Sequence, residues 1–335
     1  MTARESGKFV RSTVSGEAVD AYIPALLPPT NPPLDMEAMY SLLDKANIAI
    51  GRLDGISITV PDPSLFLYMY VRKEAVLSSQ IEGTQSTLVD LLMYENEGAV
   101  NVPIDDVVEV SNYVAAMEHG LQRTRDGFPL SLRLIKEMHT ILLQNGRGAG
   151  KQPGEFRKSQ NWIGGTRPGN ATYVPPPHEY VLDLLSDLEK FLHDEKGKMP
   201  TLIKIGLAHL QFESIHPFLD GNGRLGRLLI TFTLCSEDIL KEPLLYLSLY
   251  FKKNRKEYYN HLQHVRKTGD WEEWLSFFLT GVIETANQAV QTVQNVLKLI
   301  NEDRQKIEEI GKAASSALQV HQYLLKKPIT DSKKN

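Results

Sequence analysis

From Met36 onward, apolar residues recur every three or four positions through most of the chain, a spacing that commits it to helices. In residues 36–55, Met39, Leu42, Leu43, Ala46 and Ile50 share one face, and Gly51 and Gly55 lie near the end. Pro61 and Pro63 punctuate the chain before a second helix, PSLFLYMYVRKEAVLSSQIEG. Further helices are predicted near 86–95, 105–124, 131–144, 178–194, 201–215 and 224–238; in 131–144 the face is Leu134, Ile135, Met138 and Leu142. Residues 271–310 are amphipathic throughout, with Val290, Val293, Leu297 and Ile300 in register. One stretch departs from this pattern: FRKSQNWIGGTRPGNATYVPPP, at 156–177, has short β-prone pieces bracketed by glycine and proline, as in a hairpin or flap. The predicted class is mainly α, a helical bundle with a small β-hairpin flap.

The two ends read differently. Residues 1–35 are polar, then proline-rich, and Pro24, Pro28, Pro29, Pro32 and Pro33 forbid a helix; an extended surface arm is predicted. Residues 315–335 begin as a short helix and stop in a polar tail, too short for an independent module. The first residues hold no signal-peptide core, and no run is long enough to span a membrane, so a cytoplasmic protein without a membrane partner is expected. A net charge of -4 argues against a chain that binds nucleic acid by neutralising phosphates. The lone cysteine, Cys235 in the apolar run LLITFTLC, reads as a core residue and fits a reducing compartment.

The chemistry concentrates in HLQFESIHPFLDGNGRLGRLLITFTL, residues 209–234. An apolar helix ends near Ile215, a short polar loop follows, and a second helix starts near Arg224. Gly221 and Gly223 let the backbone curl and point N–H groups inward, and the loop feeds a helix N-terminus, where unpaired amides favour an anion. Arg224 and Arg227, three apart, reach the same side. Asp220 offers a hard oxygen ligand suited to Mg²⁺ held mostly by phosphates. His216, held by Pro217 and anchored by Phe218, stands where a general base for a hydroxyl nucleophile would. Alone it would be a packing residue; the imidazole, acid, glycine nest and two arginines within twelve residues are what point to a polyphosphate site.

HPFLDGNGRLGR resembles the Fic signature, HPF-x-(D/E)-GNGR-xx-R, at every defined position. The resemblance implies a Fic-type bundle and AMP transfer from ATP to a Ser, Thr or Tyr hydroxyl of a target protein or of the chain itself. On that reading His216 deprotonates the hydroxyl and Asp220 holds Mg²⁺. Gly221, Asn222 and Gly223 cradle the α- and β-phosphates, Arg224 grips the β-phosphate and Arg227 the γ-phosphate, with Leu225 and Gly226 between them in the nucleotide-binding turn. The 156–177 segment resembles the family's flap, which pairs with an extended target segment by strand addition; Asn170, Ala171, Thr172 and Tyr173 would border the nucleotide. Tyr258 and Tyr259 are candidates for the adenine pocket, with core packing as the alternative for each.

SSQIEG, residues 78–83, is similar to the family's inhibitory motif, (S/T)-xxx-E-(G/N), through Ser78, Glu82 and Gly83. The implied device is a bidentate pair between Glu82 and Arg227 that takes the arginine from the γ-phosphate. The chain then divides into a proline-rich arm (1–35), a helical region with the inhibitory helix (36–105), a Fic catalytic core (106–285) and C-terminal helices (286–335). Relatives often append a winged-helix module, and the last division can be read as the opening of an incomplete one. The alternatives are a largely silent Fic domain with a regulatory role, or another diphosphate-containing donor; kinase relatives carry lysine where Gly223-Arg224 stand here. His139 and His209 read as packing or hydrogen-bonding residues, Lys252-Lys253 and Lys326-Lys327 as solvated charge, and the amphipathic face near 286–310 can serve a homodimer or a core.

Overall fold

The chain opens with an antiparallel hairpin, β1 (Gly7–Val14) and β2 (Glu17–Pro24), within the region read as an extended arm. Gly7 lies opposite Pro24 and Val14 opposite Glu17, so Ser15 and Gly16 form a two-residue turn; their φ of 50° and 82° are those of a type I′ turn. Proline begins only at the last residue of β2, and the strand before it buries Val19, Ala21, Tyr22 and Ile23. The arm is therefore a packed hairpin followed by a short extended stretch. This computed structural model describes residues 4–57, 63–97, 103–194 and 199–326; Pro61 and Lys327 lie outside the described residues.

The helices follow as α1 (Met36–Ser57), α2 (Pro63–Ile81), α3 (Leu88–Glu97), α4 (Ile104–Arg125) and α5 (Leu132–Leu142). After the 156–177 segment come α6 (Val181–Leu192), α7 (Thr201–Ile215), α8 (Asn222–Ser236), α9 (Ser248–Lys253), α10 (Arg255–Thr268), α11 (Trp271–Glu308) and α12 (Ala314–Lys326). The 156–177 segment forms no regular strand. Its one ladder element is a bridge between Ile163 and Tyr173, because Gly164 and Gly165 turn the backbone to positive φ and Pro168 opens a short 3₁₀ turn, Pro168–Asn170.

Helix α7 is the central element. Leu202, Ile203, Leu207, Leu210, Phe212 and Ile215 are buried around its whole circumference, so α6, α8, α10 and α11 must surround it. Helix α11 starts on Asp270, whose carboxylate caps the Glu273 amide at 3.1 Å, and runs along α1. One apolar core extends from Ile23 in β2 to Val293 in α11 without interruption.

Two carboxyl groups lie inside this core near α8. Glu74 of α2 accepts hydrogen bonds from the Ser248 hydroxyl and amide and from the Tyr113 hydroxyl, yet burial pushes it up to about 7. Burial does the same to Glu213 of α7, against the nearby Arg227 charge. The folded chain therefore binds these protons more tightly than the unfolded chain does. Their contribution to stability is full at acidic pH and is lost as pH rises through the window ending near 7. Within it each costs about 1 kcal/mol per pH unit. Glu74→Gln, which stays neutral, is expected to remove about half of this slope, read as denaturation midpoints between pH 5 and 8.

Candidate active site

Helix α7 ends at His216, whose φ of 49° is left-handed and uncommon for a residue other than glycine. What holds it there is Arg157, a residue the sequence reading passed over. The buried guanidinium donates from Nε to the His216 carbonyl at 2.9 Å and from Nη2 to the Ile215 and Pro176 carbonyls. The Arg157 amide also donates to the Pro217 carbonyl. One side chain thus ties the helix end and the loop to the 156–177 segment. The His216 imidazole is pushed down to about 3 by burial and by the Arg157 and Arg266 guanidinium groups, so it is neutral at physiological pH.

The rest of the loop is stapled from beneath. Phe218 is buried and its ring stacks on His139 at 3.6 Å between centroids. The Gly154 amide donates to His139 Nδ1, so the ring proton is on Nε2, which donates to the Asp220 carbonyl at 3.0 Å. Asn222 closes the loop with its side chain: Oδ1 accepts from the Phe218 amide at 2.8 Å and Nδ2 donates to the Phe218 carbonyl at 2.9 Å. The chain then turns through Gly221, at φ 75°, and α8 begins at Asn222, earlier than the predicted start. The amides of Asn222, Gly223 and Arg224 are in the first turn, where none has an acceptor within the helix.

Three charged groups gather around that turn. Asp220 has a side chain that is 41 % exposed; Oδ1 accepts from the Gly221 amide at 2.6 Å, and Oδ2 has no hydrogen bond among the described residues. Arg224 is buried and donates to Glu109 Oε2 at 2.9 Å, with Asp220 Oδ1 at 3.5 Å. Glu109 also takes Arg147 at 2.7 Å, a support too distant in sequence for any motif to announce. Arg227 is buried, and its Nε donates to the Ser78 hydroxyl at 2.9 Å. Its Nη2 donates to the Ser78 carbonyl at 3.0 Å and to Glu82 Oε1 at 2.6 Å. Burial alone would lower the Arg227 pKa, but the Glu82 carboxylate raises it above the ordinary value.

Glu82 follows the last residue of α2, and Gly83 at φ 103° turns the chain away. A methyl group on Gly223 would lie 2.4 Å from Glu82 Oε1, so the carboxylate sits directly over the first turn of α8. The bond to Arg227 is single rather than the expected fork: Glu82 takes one Nη2 hydrogen, while Ser78 takes Nε and the other Nη2 hydrogen.

The remaining predicted residues divide into two groups. Leu225 is core, and the Gly226 carbonyl accepts from His209 Nδ1 at 3.0 Å. His209 Nε2 accordingly accepts from the Tyr258 hydroxyl at 2.9 Å, which places Tyr258 inside the protein while Tyr259 beside it is 38 % exposed. Tyr173 is buried, its hydroxyl bonded to the Ser214 carbonyl and its ring 3.7 Å beneath the Arg266 guanidinium. Asn170 is exposed and its side chain accepts from the Thr166 and Arg167 amides; Ala171 and Thr172 run between these two, near the surface.

Fold and site together describe a helical domain with a histidine loop feeding a helix N-terminus of unpaired amides, its arginines buried and one of them paired with a carboxylate just past the end of α2. The Fic/DOC family N-terminal model matches residues 40–122 and the Fic/DOC family model residues 129–234. The chain belongs to the Fic/DOC family. It is 28 % identical to protein adenylyltransferase fic-1 of Caenorhabditis briggsae, over 63 % of this chain and 38 % of that protein. Against a probable protein adenylyltransferase of Aquifex aeolicus (strain VF5) the identity is 26 %, over 60 % of this chain and 57 % of that protein. The chain thus spans less than two thirds of the length of these relatives. A Fic family protein from Desulfovibrio desulfuricans G20 superposes with a TM-score of 0.65 at 24 % identity, covering 76 % of this chain and 74 % of that one. Among the described residues no helix is long and apolar enough to cross a membrane.

Proposed function

We propose that this chain is a protein adenylyltransferase that moves AMP from ATP to a Ser, Thr or Tyr hydroxyl of a protein and is held inactive by Glu82. The observation that carries the reading is the neutral His216 imidazole at the head of the loop that feeds the first turn of α8, with Glu82 lying over that turn and bonded to Arg227. The names of the adenylyltransferase relatives support the same chemistry. In the reaction His216 accepts the acceptor hydroxyl proton and the oxygen forms a bond to the α-phosphorus. The bond from that phosphorus to the β-bridging oxygen breaks, and pyrophosphate leaves. The amides of the α8 first turn stabilise charge building on the α-phosphate.

Asp220 fits a magnesium ion. Its Oδ2 is unbonded, the side chain is partly exposed, and one carboxylate beside a phosphate-binding turn is the donor set Mg²⁺ takes when phosphates supply other ligands. When bound, the ion would neutralise phosphate charge. The exposed 163–173 segment is proposed to dock the acceptor strand. The test is self-labelling by ATP carrying label at the α-phosphate, for the native chain, Glu82→Gly, and Glu82→Gly with His216→Ala. Label confined to Glu82→Gly supports transfer and brake together; label absent from all three, with γ-labelled ATP also silent, refutes AMP transfer.

Arg227→Ala in the Glu82→Gly chain is expected to weaken ATP binding about 10- to 100-fold by calorimetry, the loss of one or two charge-assisted hydrogen bonds. Its far-ultraviolet dichroism should match that of the parent, because alanine favours the helix and leaves the apolar contacts of Leu225 and Leu228 in α8 in place.

A further inference from the structure

Within itself the 163–173 segment has only turn bonds around Asn170 and a single bridge. Its only ladder contact is the Ile163–Tyr173 bridge, and a two-stranded element of any length is marginal in water. What holds it is the N-terminal hairpin. Glu17, at the head of β2, accepts through one carboxylate oxygen from Arg167 Nη1 at 2.8 Å and from the Gly169 amide at 3.1 Å. The fit is close: a methyl group on Gly169 would meet that oxygen at 2.2 Å. Further along, the Tyr22 amide donates to the Val174 carbonyl at 2.9 Å. Between these two bonds Val14, Val19, Ala21 and Val174 form an apolar cluster separate from the main core, with Ala171 packed on it. On its far side the segment is pinned by Tyr173, whose hydroxyl reaches the Ser214 carbonyl two residues before His216.

We propose that the β1–β2 hairpin is a working part of the acceptor-docking flap, and that Glu17 is a positioning residue setting the height at which an acceptor strand meets His216. The hairpin's hydrogen bonds to the segment fall at Arg167, Gly169 and Val174, and among the described residues none joins it to the α8 first turn. It therefore acts chiefly on acceptor use, reaching the nucleotide only at the edge that Asn170 to Tyr173 would form and not at the phosphate turn of α8. This rests on the flap's role in the transferase reading above, and the readouts are chosen so that the two can fail separately.

The experiment uses the full chain carrying Glu82→Gly, with three measurements. Hydrogen–deuterium exchange follows the Ile163, Thr172 and Tyr173 amides, all bonded across the bridge. Calorimetry gives ATP affinity. Transfer of labelled AMP is followed to a His216→Ala chain supplied in trans as the acceptor, over a range of concentrations. Glu17→Ala is expected to speed flap exchange about tenfold, from the loss of a charge-assisted pair, and to raise the acceptor KM severalfold with kcat and ATP affinity little changed. Glu17→Gln should fall between, since its amide oxygen still accepts from the Gly169 N–H. Asp20→Ala, which removes an exposed ion pair with Arg11 on the same hairpin, should leave all three as in the parent. Flap exchange unchanged by Glu17→Ala overturns the proposal whatever the labelling shows. So does faster exchange with an unchanged acceptor KM. A parent that labels nothing refutes the transferase reading, and the exchange data alone then decide whether Glu17 holds the flap.

Discussion

Replacing Glu82 with glycine is expected to raise self-labelling from α-labelled ATP by roughly 10- to 100-fold. The carboxylate has two effects on the site, and the substitution removes both. It holds Arg227 through the 2.6 Å bond, and its Oε1 lies over Gly223, in the space an anion at the α8 N-terminus would fill. On the proposed reading, ATP approaching the native chain would place its terminal phosphate against this negative charge, with the arginine proposed to receive it already engaged. A charge-assisted hydrogen bond contributes about 1.5–3 kcal/mol net, which sets the range. The side chain is 37 % exposed, so solvent screening favours its lower half. Ser78 remains bonded to Arg227 Nε and Nη2, so the guanidinium stays aimed at the turn after the glutamate is gone. Glu82 stands beyond the last residue of α2, where glycine breaks no helix. A Glu82→Gly chain that binds ATP tightly by calorimetry yet labels neither itself nor another protein would refute this account of the brake.

The loop from His216 to Arg224 was legible because most of what shapes it is local. Glycines where the backbone curls, an asparagine that staples its own loop and a helix that starts at once all fall within one short run of sequence. The Glu82–Arg227 pairing was legible only through resemblance, since nothing in SSQIEG says which arginine Glu82 will meet, 145 residues away. Arg157 and Glu109 were missed for the same reason: each is an ordinary charged residue in sequence, and only the fold brings one to the His216 carbonyl and the other to Arg224. The hairpin is a different case, because its signal was present. FVRSTV and EAVDAY carry β-branched and aromatic residues on either side of Ser15-Gly16, but the dense prolines that follow dominated the reading of the whole arm. In the 156–177 segment glycine and proline correctly marked turns, and their number is also what kept the pieces between them from becoming strands.

His216→Ala in the Glu82→Gly background is expected to lower labelling by about 10²- to 10⁴-fold, the usual contribution of a positioned general base. The local electrostatics define what the imidazole has to do. Arg157 and Arg266, together with burial, push it down to about 3, so it is fully in its proton-accepting form at neutral pH. The same two cations would oppose the imidazolium formed when it takes the acceptor proton. Polyphosphate at the α8 N-terminus supplies negative charge beside the ring and offsets that opposition, so the base gains strength only once nucleotide is bound. Labelling should therefore show no titration near the ordinary histidine value in the free enzyme. Alanine alone is an imperfect test, because φ at this position is 49° and a residue without a locally bonding side chain pays about 1 kcal/mol there. His216→Asn answers that objection: asparagine tolerates the left-handed region and brings no base. Equal loss of labelling in both variants, with ATP affinity and melting temperature of the Asn variant near those of the parent, would assign the effect to the proton rather than to the backbone. Retention of more than about a tenth of the labelling in the Asn variant would exclude His216 as the base.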